Sequence, residues 1–431
     1  MEKPRLSGAF PVLSRGAIAG GLIQVASIGM ALGLRLALIR LIGATEYGLY
    51  VYAISWLDVL VVGVKLGLDS LLVRFVATYG SQQEWGLLKG LLRRTDRTVL
   101  FASLAVGAVV AAIGLALRQR IGDTAAISCM LFFGLLPAAA LIQLRSATLR
   151  ARKRVMWAIG LNKLVRPLLL LALFGGISLL GVARNGANAL ACDLIATLIA
   201  LVVGAWILKR ELPPEVATAA AEYSPDWLRI GFFLMFASCM SIFLGRTDVL
   251  MLGMLRDTTE AGVYETCSQI SRLPLFGLTA VSVILGPMVA ELFAQNRLDR
   301  LRQVLRLAAR GILLFSVLAS LGIVLLGEFV LSVFDPTFAV GYTALLWLAG
   351  AQLVNAAAGP IGLLLTMTGY ERAVGRVLFA VVILNFVLNA VLIPPFGMVG
   401  AAVATAVSSA SWNIAMLVVG WKQLGIRTTA F

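Results

Sequence analysis

The sequence contains no histidine. Histidine-ligated metal sites, histidine-dependent catalytic triads and histidine proton relays are therefore excluded. Charge is scarce too: only 13% of the 431 residues are Asp, Glu, Lys or Arg, against roughly 25% in soluble domains. Cysteine is limited to Cys129, Cys192, Cys239 and Cys267. Each lies in an apolar run and none forms a Cys-x-x-Cys pair. They read as buried reduced thiols, not as zinc or redox ligands. No residue set points to a catalytic centre, a metal or a cofactor.

Apolar residues fill the gap. AVILMFWYC make up 60% of the chain, and the mean hydropathy is +0.95. These figures exclude a soluble enzyme, a disordered chain and a fibrous repeat. They also exclude a transmembrane β-barrel, whose strands alternate and whose average composition stays polar. The expected fold is all-α and integral to a membrane. The first apolar run starts near Ala17 and is too long for a signal-peptide core, with no small-residue cleavage site after it. It reads as a retained first helix.

A helix needs about 20 apolar residues to cross a bilayer. Twelve such runs are present: Ala17–Leu41, Tyr47–Leu66, Val99–Leu117, Ala125–Leu144, Met156–Leu180, Ala187–Leu208, Ile230–Leu255, Gly262–Ala290, Leu307–Leu326, Val340–Met367, Val374–Ile393 and Met398–Trp421. The net charge of +15 then becomes an orientation signal. Of the 36 basic residues, 25 fall in the N-terminus, the alternate loops and the tail on one side, and four (Arg118, Arg120, Arg184, Arg256) fall on the other. Positive loops stay in the cytoplasm, so both termini are expected inside. Trp157, Trp206, Trp227 and Trp421 fall at the same helix ends, as an aromatic belt would place them. The charge therefore does not indicate nucleic acid. The outward loops are a few residues long and leave no room for a glycosyltransferase or polymerase domain.

The halves repeat at an offset of 214 residues. Ala44-Thr45-Glu46-Tyr47-Gly48-Leu49-Tyr50 aligns with Thr258-Thr259-Glu260-Ala261-Gly262-Val263-Tyr264, Gly63 with Gly277, and Gly186-Ala187 with Gly400-Ala401. Basic amphipathic stretches, Glu84–Arg97 and Leu298–Arg310, follow the second helix of each half. Six helices per half make the repeats parallel, and sites in such transporters lie between halves near the midplane. The expected organisation is a six-helix lobe over 1–208, a cytoplasmic linker over 209–229 and a second lobe over 230–431, around a central cavity.

Seven basic residues fall inside the runs: Arg35, Arg40, Lys65, Lys163, Arg166, Arg246 and Arg272, set against Asp58, Asp193, Asp248 and Glu265. Charges there cost roughly 2.5–3.5 kcal/mol each on insertion scales and face a bundle interior or a wet cavity. Helical spacing groups Ser55, Asp58, Lys65 and Asp69 on one face, Glu265, Gln269 and Arg272 on another, and Gln24 with Arg35 on a third. Ser238, Ser241, Gly245 and Asp248 form a stripe, with Arg246 to its side. Arg35, Arg40, Lys65, Arg246 and Arg272 are thus candidate cavity cations for a diphosphate or glycan. Asp58, Asp248 and Glu265 are candidates for pairing with them or for holding a coupling ion. Other readings stay open. Arg40 sits where it would snorkel to the interface. Asp58 with Lys65, and Glu265 with Arg272, would serve as neutralising pairs. Lys163 or Arg166 would pair with Asp193, and Asn385 and Asn389 would make interhelical hydrogen bonds.

A cationic, largely apolar cavity suits an amphipathic anion, because an arginine fork matches phosphate oxygens. An anion exporter would carry similar charges.

An ordered set of motifs resembles the Wzx-type oligosaccharide flippases of the multidrug/oligosaccharidyl-lipid/polysaccharide exporter superfamily. It runs from Leu38 to Tyr50, through Leu66-Gly67-Leu68-Asp69 and Val73-Arg74-Phe75-Val76-Ala77, to Arg246-Thr247-Asp248-Val249-Leu250-Met251-Leu252-Gly253 and Gly262-Val263-Tyr264. It ends with Gly359-Pro360, Thr368-Gly369, Asn385, Asn389, Leu392-Ile393-Pro394 and Gly397-Met398-Val399-Gly400-Ala401-Ala402. The resemblance implies two six-helix lobes around a V-shaped cavity, alternating access and a polyprenyl-diphosphate-linked oligosaccharide as substrate. It also implies a multi-pass place in a bacterial inner membrane, in contact with membrane lipid and beside a glycan polymerase or other polysaccharide-assembly proteins. Arg40 matches the family arginine ending the first helix, and Asp248 the acid of the Thr-Asp element. Two departures matter. Some relatives have two further C-terminal helices. Drug-exporting relatives often carry an acid in the first helix, where this chain has Arg35. A cation-coupled multidrug exporter is the alternative, with Asp58 or Asp248 binding the coupling ion.

Overall fold

The computed structural model describes residues 29–181, 183–224, 226–295 and 297–424. The Ala17 start of the first span, Gln24, and the terminal charges Lys3, Arg5, Arg15 and Arg427 lie outside these residues.

Nine helices among the described residues are long and apolar enough to cross a membrane. One of them, Glu371–Leu424, has 54 residues. At 1.5 Å per residue that is about 81 Å, more than twice the ~30 Å hydrocarbon core. It contains two spans, separated at Gly397 (φ 54°) just after Pro394 and Pro395. The eighth span is built from Thr258–Ile270 and Leu275–Ala294, and helix over residues 29–42 is the described part of the first. The chain is a twelve-span helical membrane protein. The spans carry large exposed apolar side chains: Leu179 is 89% exposed, Leu325 71% and Phe101 69%. Such surface belongs against lipid, where backbone polar groups must be satisfied inside each helix.

The second run ends at Leu66 as expected: Leu66 and Gly67 have φ of 50° and 71°, and a further helix, Leu68–Gln82, follows. Gly67 is required there: a Cβ would overlap the Gly231 carbonyl oxygen and the Met235 nitrogen of the seventh span. The eighth breaks at Ser271–Pro274, where Arg272 and Leu273 make tight-turn bonds to Gln269 and Ile270. Pro274 has no N–H to continue the ladder. The tenth breaks at Gly359 (φ 70°) before Pro360, and Ile361–Met367 follows.

The two basic amphipathic stretches belong to the next spans. Trp85–Ala116 and Leu298–Phe334 are continuous helices of 32 and 37 residues, about 48 and 56 Å long. They outreach the hydrocarbon core, and their first turns bury Leu88 and Leu91, or Leu301 and Leu305, with arginines on the other faces. Spans three and four, the latter Asp123–Ala151, approach closely at Gly107, whose Cβ position lies 3.1 Å from the Phe132 carbonyl oxygen. Small residues permit such contact in a membrane.

The described residues fall into two compact units, one of Gly29–Arg246 and one within Thr247–Phe431. The seventh span, Asp226–Leu255, is divided between them. Within the first unit, the polar segment after span six is fastened down. Glu222 donates its amide to Gly86 (3.0 Å). Lys89 Nζ donates to the Ala217 and Ala219 carbonyls (2.6 and 2.7 Å), closing the short helix Pro214–Thr218. Trp227 Nε1 donates to the Tyr79 hydroxyl (3.1 Å). A Cβ at Gly90 would overlap the Glu222 carbonyl oxygen. Gly90→Val should therefore lift the segment and raise its cleavage by a glutamate-specific protease at Glu215 and Glu222 by about tenfold, since cleavage follows local opening. Limited proteolysis of the detergent-solubilised protein checks this, and equal rates for variant and wild type would show that the segment is not docked.

Candidate functional site

Two groups of polar side chains within the spans, one in each unit, form the candidate site. In Gly29–Arg246 the cluster is ionic. Arg246 Nη2 donates to Asp58 Oδ2 at 2.6 Å, joining span seven to span two. Arg166 makes a forked pair with Asp193, Nε to Oδ1 at 2.8 Å and Nη2 to Oδ2 at 2.6 Å. The Tyr50 hydroxyl also approaches Asp193 Oδ2, at 3.5 Å. Arg166 lies within electrostatic reach of Asp58, and Arg35 within reach of Tyr50. Spans two, five, six and seven thus bring together Arg166 and Arg246 with Asp58 and Asp193.

Local sequence sets the Arg166 position. Pro167 has no N–H for an α-helical bond to Lys163, and its ring crowds that carbonyl. The helix opens into one π-helical turn over Leu161–Val165, and Arg166–Leu179 resumes as α-helix. Asn162 Nδ2 holds the turn to Ser146 Oγ at 2.6 Å.

In Thr247–Phe431 the centre is one carboxylate among neutral donors. Asp248 Oδ1 accepts from Asn389 Nδ2 at 2.7 Å, and Asp248 Oδ2 from the Tyr264 hydroxyl at 2.6 Å. The Thr405 hydroxyl donates to the same Oδ2. Asn389 in turn donates to Asn385 Oδ1 at 3.1 Å. Asp248, Tyr264, Asn385 and Asn389 are all buried. These groups come from spans seven, eight, eleven and twelve. Asp248's hydrogen-bond partners among the described residues are all neutral.

The repeat relates one member of each centre, the tyrosine, and not the aspartates. Tyr50 and Tyr264 are equivalent at the 214-residue offset, and each reaches a buried aspartate of its own unit. The first carboxylate is matched by an arginine, the second by amides and hydroxyls. The motif glutamates also correspond. Glu46 Oε2 accepts the Gly186 amide (2.7 Å) at the start of span six, and a Cβ on Gly397, at the start of span twelve, would lie 2.7 Å from Glu260 Oε2. Carboxylates suit helix N-termini because free amides and the dipole point there.

The structure treats the candidate residues differently. Asp58 and Arg246 join the ionic cluster, and Arg35 lies within electrostatic reach of Tyr50. Lys65 does not pair with Asp58. It is buried and donates to Asp69 Oδ2 and Gln143 Oε1, both at 2.7 Å. Asp58 and Lys65 lie in one helix, Ala44–Lys65, and the Leu66–Gly67 turn sets Asp69 in the next, Leu68–Gln82. Arg40 is exposed at the end of its helix, and Arg272 is exposed in the span-eight turn. Glu265 is buried and accepts from Gln269 Nε2 at 2.9 Å. The Arg166–Asp193 pair and the Asn389 interhelical bond occur as expected. Thr405 is an additional member of the Asp248 centre; nothing in its sequence spacing marks it.

An arginine with one edge on a carboxylate still presents donors to an anion. A buried carboxylate with only neutral donors calls for a proton or a small cation, because an isolated charge in a low-dielectric interior is costly.

Known proteins carry the same architecture. The chain is 26% identical over 269 residues to the probable low-salt glycan biosynthesis flippase Agl15 of Haloferax volcanii, covering 62% of this chain and 56% of that one. It is 30% identical over 167 residues to the probable flippase AglR of the same organism, covering 37% and 34%. The match thus spans about half the length of the first relative and a third of the second. Among solved structures, the lipid II flippase MurJ in an inward closed conformation superposes with a TM-score of 0.72 at 12% identity, covering 93% of this chain and 87% of that one. An inward-facing multidrug resistance MATE family transporter of the MOP superfamily gives 0.67 at 13% identity, covering 94% and 98%. At such identities these likenesses establish the fold. The profile of the family described as polysaccharide biosynthesis protein matches residues 13–293, well over half of the sequence, and the chain belongs to that family.

Proposed function

We propose that this protein flips a polyprenyl-diphosphate-linked oligosaccharide from the inner to the outer leaflet of the plasma membrane, by alternating access of two six-helix lobes, for cell-surface glycan assembly. The observation that carries the reading is the arginine-rich cluster within the spans in a chain of this family. A hydrophilic, anionic head needs such a place, while a prenyl tail stays in the bilayer. Both termini face the cytoplasm, as the basic loops require. A glycan polymerase or another assembly protein receives the product.

In this reading Asp248 holds the coupling proton or monovalent cation. Asp193 in the other unit is matched by Arg166, whereas the partners of Asp248 among the described residues are the neutral Tyr264, Asn389 and Thr405, so an exchangeable ion balances its charge.

Proteoliposomes loaded with a labelled polyprenyl-diphosphate oligosaccharide test the function. Protein-dependent movement of the lipid between leaflets is the expected result. Failure to move it, together with extrusion of cationic dyes, would overturn the reading in favour of drug export. Arg35→Ala should lower flipping by about tenfold, the value of one charge-assisted hydrogen bond, with unchanged protein in the membrane. Arg35→Lys with full activity would mean that charge alone suffices, and normal flipping by Arg35→Ala would remove Arg35 from the site.

A further inference from the structure

We propose that Arg166 is a phosphate-binding arginine, moored by Asp193 and offering its remaining edge to the diphosphate oxygens of the transported lipid. The inference rests on the flippase reading and adds a residue to its binding site.

Three observations converge on it. The first is the geometry of the pair. A guanidinium has five N–H donors, and Asp193 takes one from Nε and one from Nη2. Asp193 is 1% exposed, while the Arg166 side chain is 22% exposed. The carboxylate is thus sealed inside and the arginine is partly open, with Nη1 and the second Nη2 hydrogen outside the Asp193 fork. A pair built only to neutralise itself would be buried on both sides. This one fixes a planar fork in a single orientation, and an arginine already fixed loses less freedom on binding an oxyanion.

The second is the backbone. The π-helical turn Leu161–Val165 directly precedes Arg166. Such turns are rare and occur often at functional sites. Here the turn changes the helical phase one residue before the arginine, and the Asn162–Ser146 bond holds it in place.

The third is the local charge. Arg166 is in electrostatic reach of Asp58, which is already bonded to Arg246. The guanidinium groups of Arg166 and Arg246 therefore lie near one another, and two such groups suit the oxygens of a diphosphate. The competing role for Arg166 is simple neutralisation of Asp193.

Removing both partners separates the two roles. Arg166→Gln alone strands a buried carboxylate, which destabilises. Arg166→Gln/Asp193→Asn removes the charges together and leaves amides of similar shape, a change that is often neutral for folding. The probe is farnesyl diphosphate, with farnesol and inorganic pyrophosphate as comparisons, titrated against the purified full chain in nanodiscs. Monodisperse elution and an unchanged thermal midpoint establish that the double variant is folded. Wild type is expected to prefer farnesyl diphosphate over farnesol and over pyrophosphate. The double variant should lose about tenfold in affinity for farnesyl diphosphate and keep its affinity for farnesol.

Wild-type preference for the diphosphate, with undiminished binding by the double variant, would overturn the Arg166 role and leave the flippase reading standing. No wild-type preference for farnesyl diphosphate over farnesol would overturn both. Tighter binding of pyrophosphate than of farnesyl diphosphate would overturn the lipid as the source of the phosphates.

Discussion

Asp248→Asn should abolish the response of transport to an ion gradient and lower the flipping rate at least about tenfold, a loss of roughly 1.4 kcal/mol or more. Asparagine has nearly the shape of aspartate and keeps an oxygen that accepts from Tyr264 and Thr405, whose donors now converge on Asp248 Oδ2. What it loses is the charge that attracts a proton or monovalent cation. Flipping in proteoliposomes, driven in turn by a pH gradient and by a sodium gradient, identifies the ion in wild type and its loss in the variant. An Asp248→Asn protein that still follows the same gradient would remove Asp248 from coupling. Asp248→Leu is the contrasting case. It strands the Tyr264, Asn389 and Thr405 donors in a buried site, at about 1–3 kcal/mol each, and should reduce the amount of folded protein in the membrane.

Arg246→Ala is the second large effect. It leaves Asp58 beside spans two and seven without the guanidinium that now lies 2.6 Å away. Breaking a charge-assisted bond of this half-buried pair costs about 1–3 kcal/mol, so the thermal midpoint in detergent should fall. Asp58→Ala/Arg246→Ala removes both charges and should regain most of that stability. Flipping should stay low in the double variant if Arg246 also meets the substrate, as the proposed function requires. Recovery of flipping together with stability would reduce the Asp58–Arg246 pair to a helix clamp.

The twelve spans were legible because each is a long apolar run bounded by charge, a signal averaged over about 20 residues. Breaks inside them were not. Pro274 and Pro360 lie in runs whose average hydropathy hides a single missing N–H. Gly67 turns the chain because of what packs on it, and Gly231 is 164 positions away in sequence. Site residues divide along the same line. Helical spacing found the acids and bases, since periodicity reports the face of one helix. It paired Asp58 with Lys65 because both lie on span two, whereas the partner came from span seven. Thr405 reaches Asp248 across 157 residues, a separation at which local pattern carries no information. Tyr50 and Tyr264 were visible as a repeat, and their shared task of meeting a buried aspartate required coordinates.

The separations between partners also set a timetable for biogenesis. The ribosome adds roughly 5–20 residues per second. Tyr264 follows Asp248 by 16 residues, a delay of about 1–3 s at that rate. Asn389 and Thr405 follow it by 141 and 157 residues, a delay of about 7–31 s. Arg246 is made 188 residues after Asp58, about 9–38 s later. During these intervals the nascent spans carry carboxylates whose final partners do not yet exist. A proton on the carboxylate, a lingering place beside the translocon or a provisional neighbour must carry them through. The order of synthesis, as much as the finished contacts, therefore limits where acidic residues can be placed in this chain.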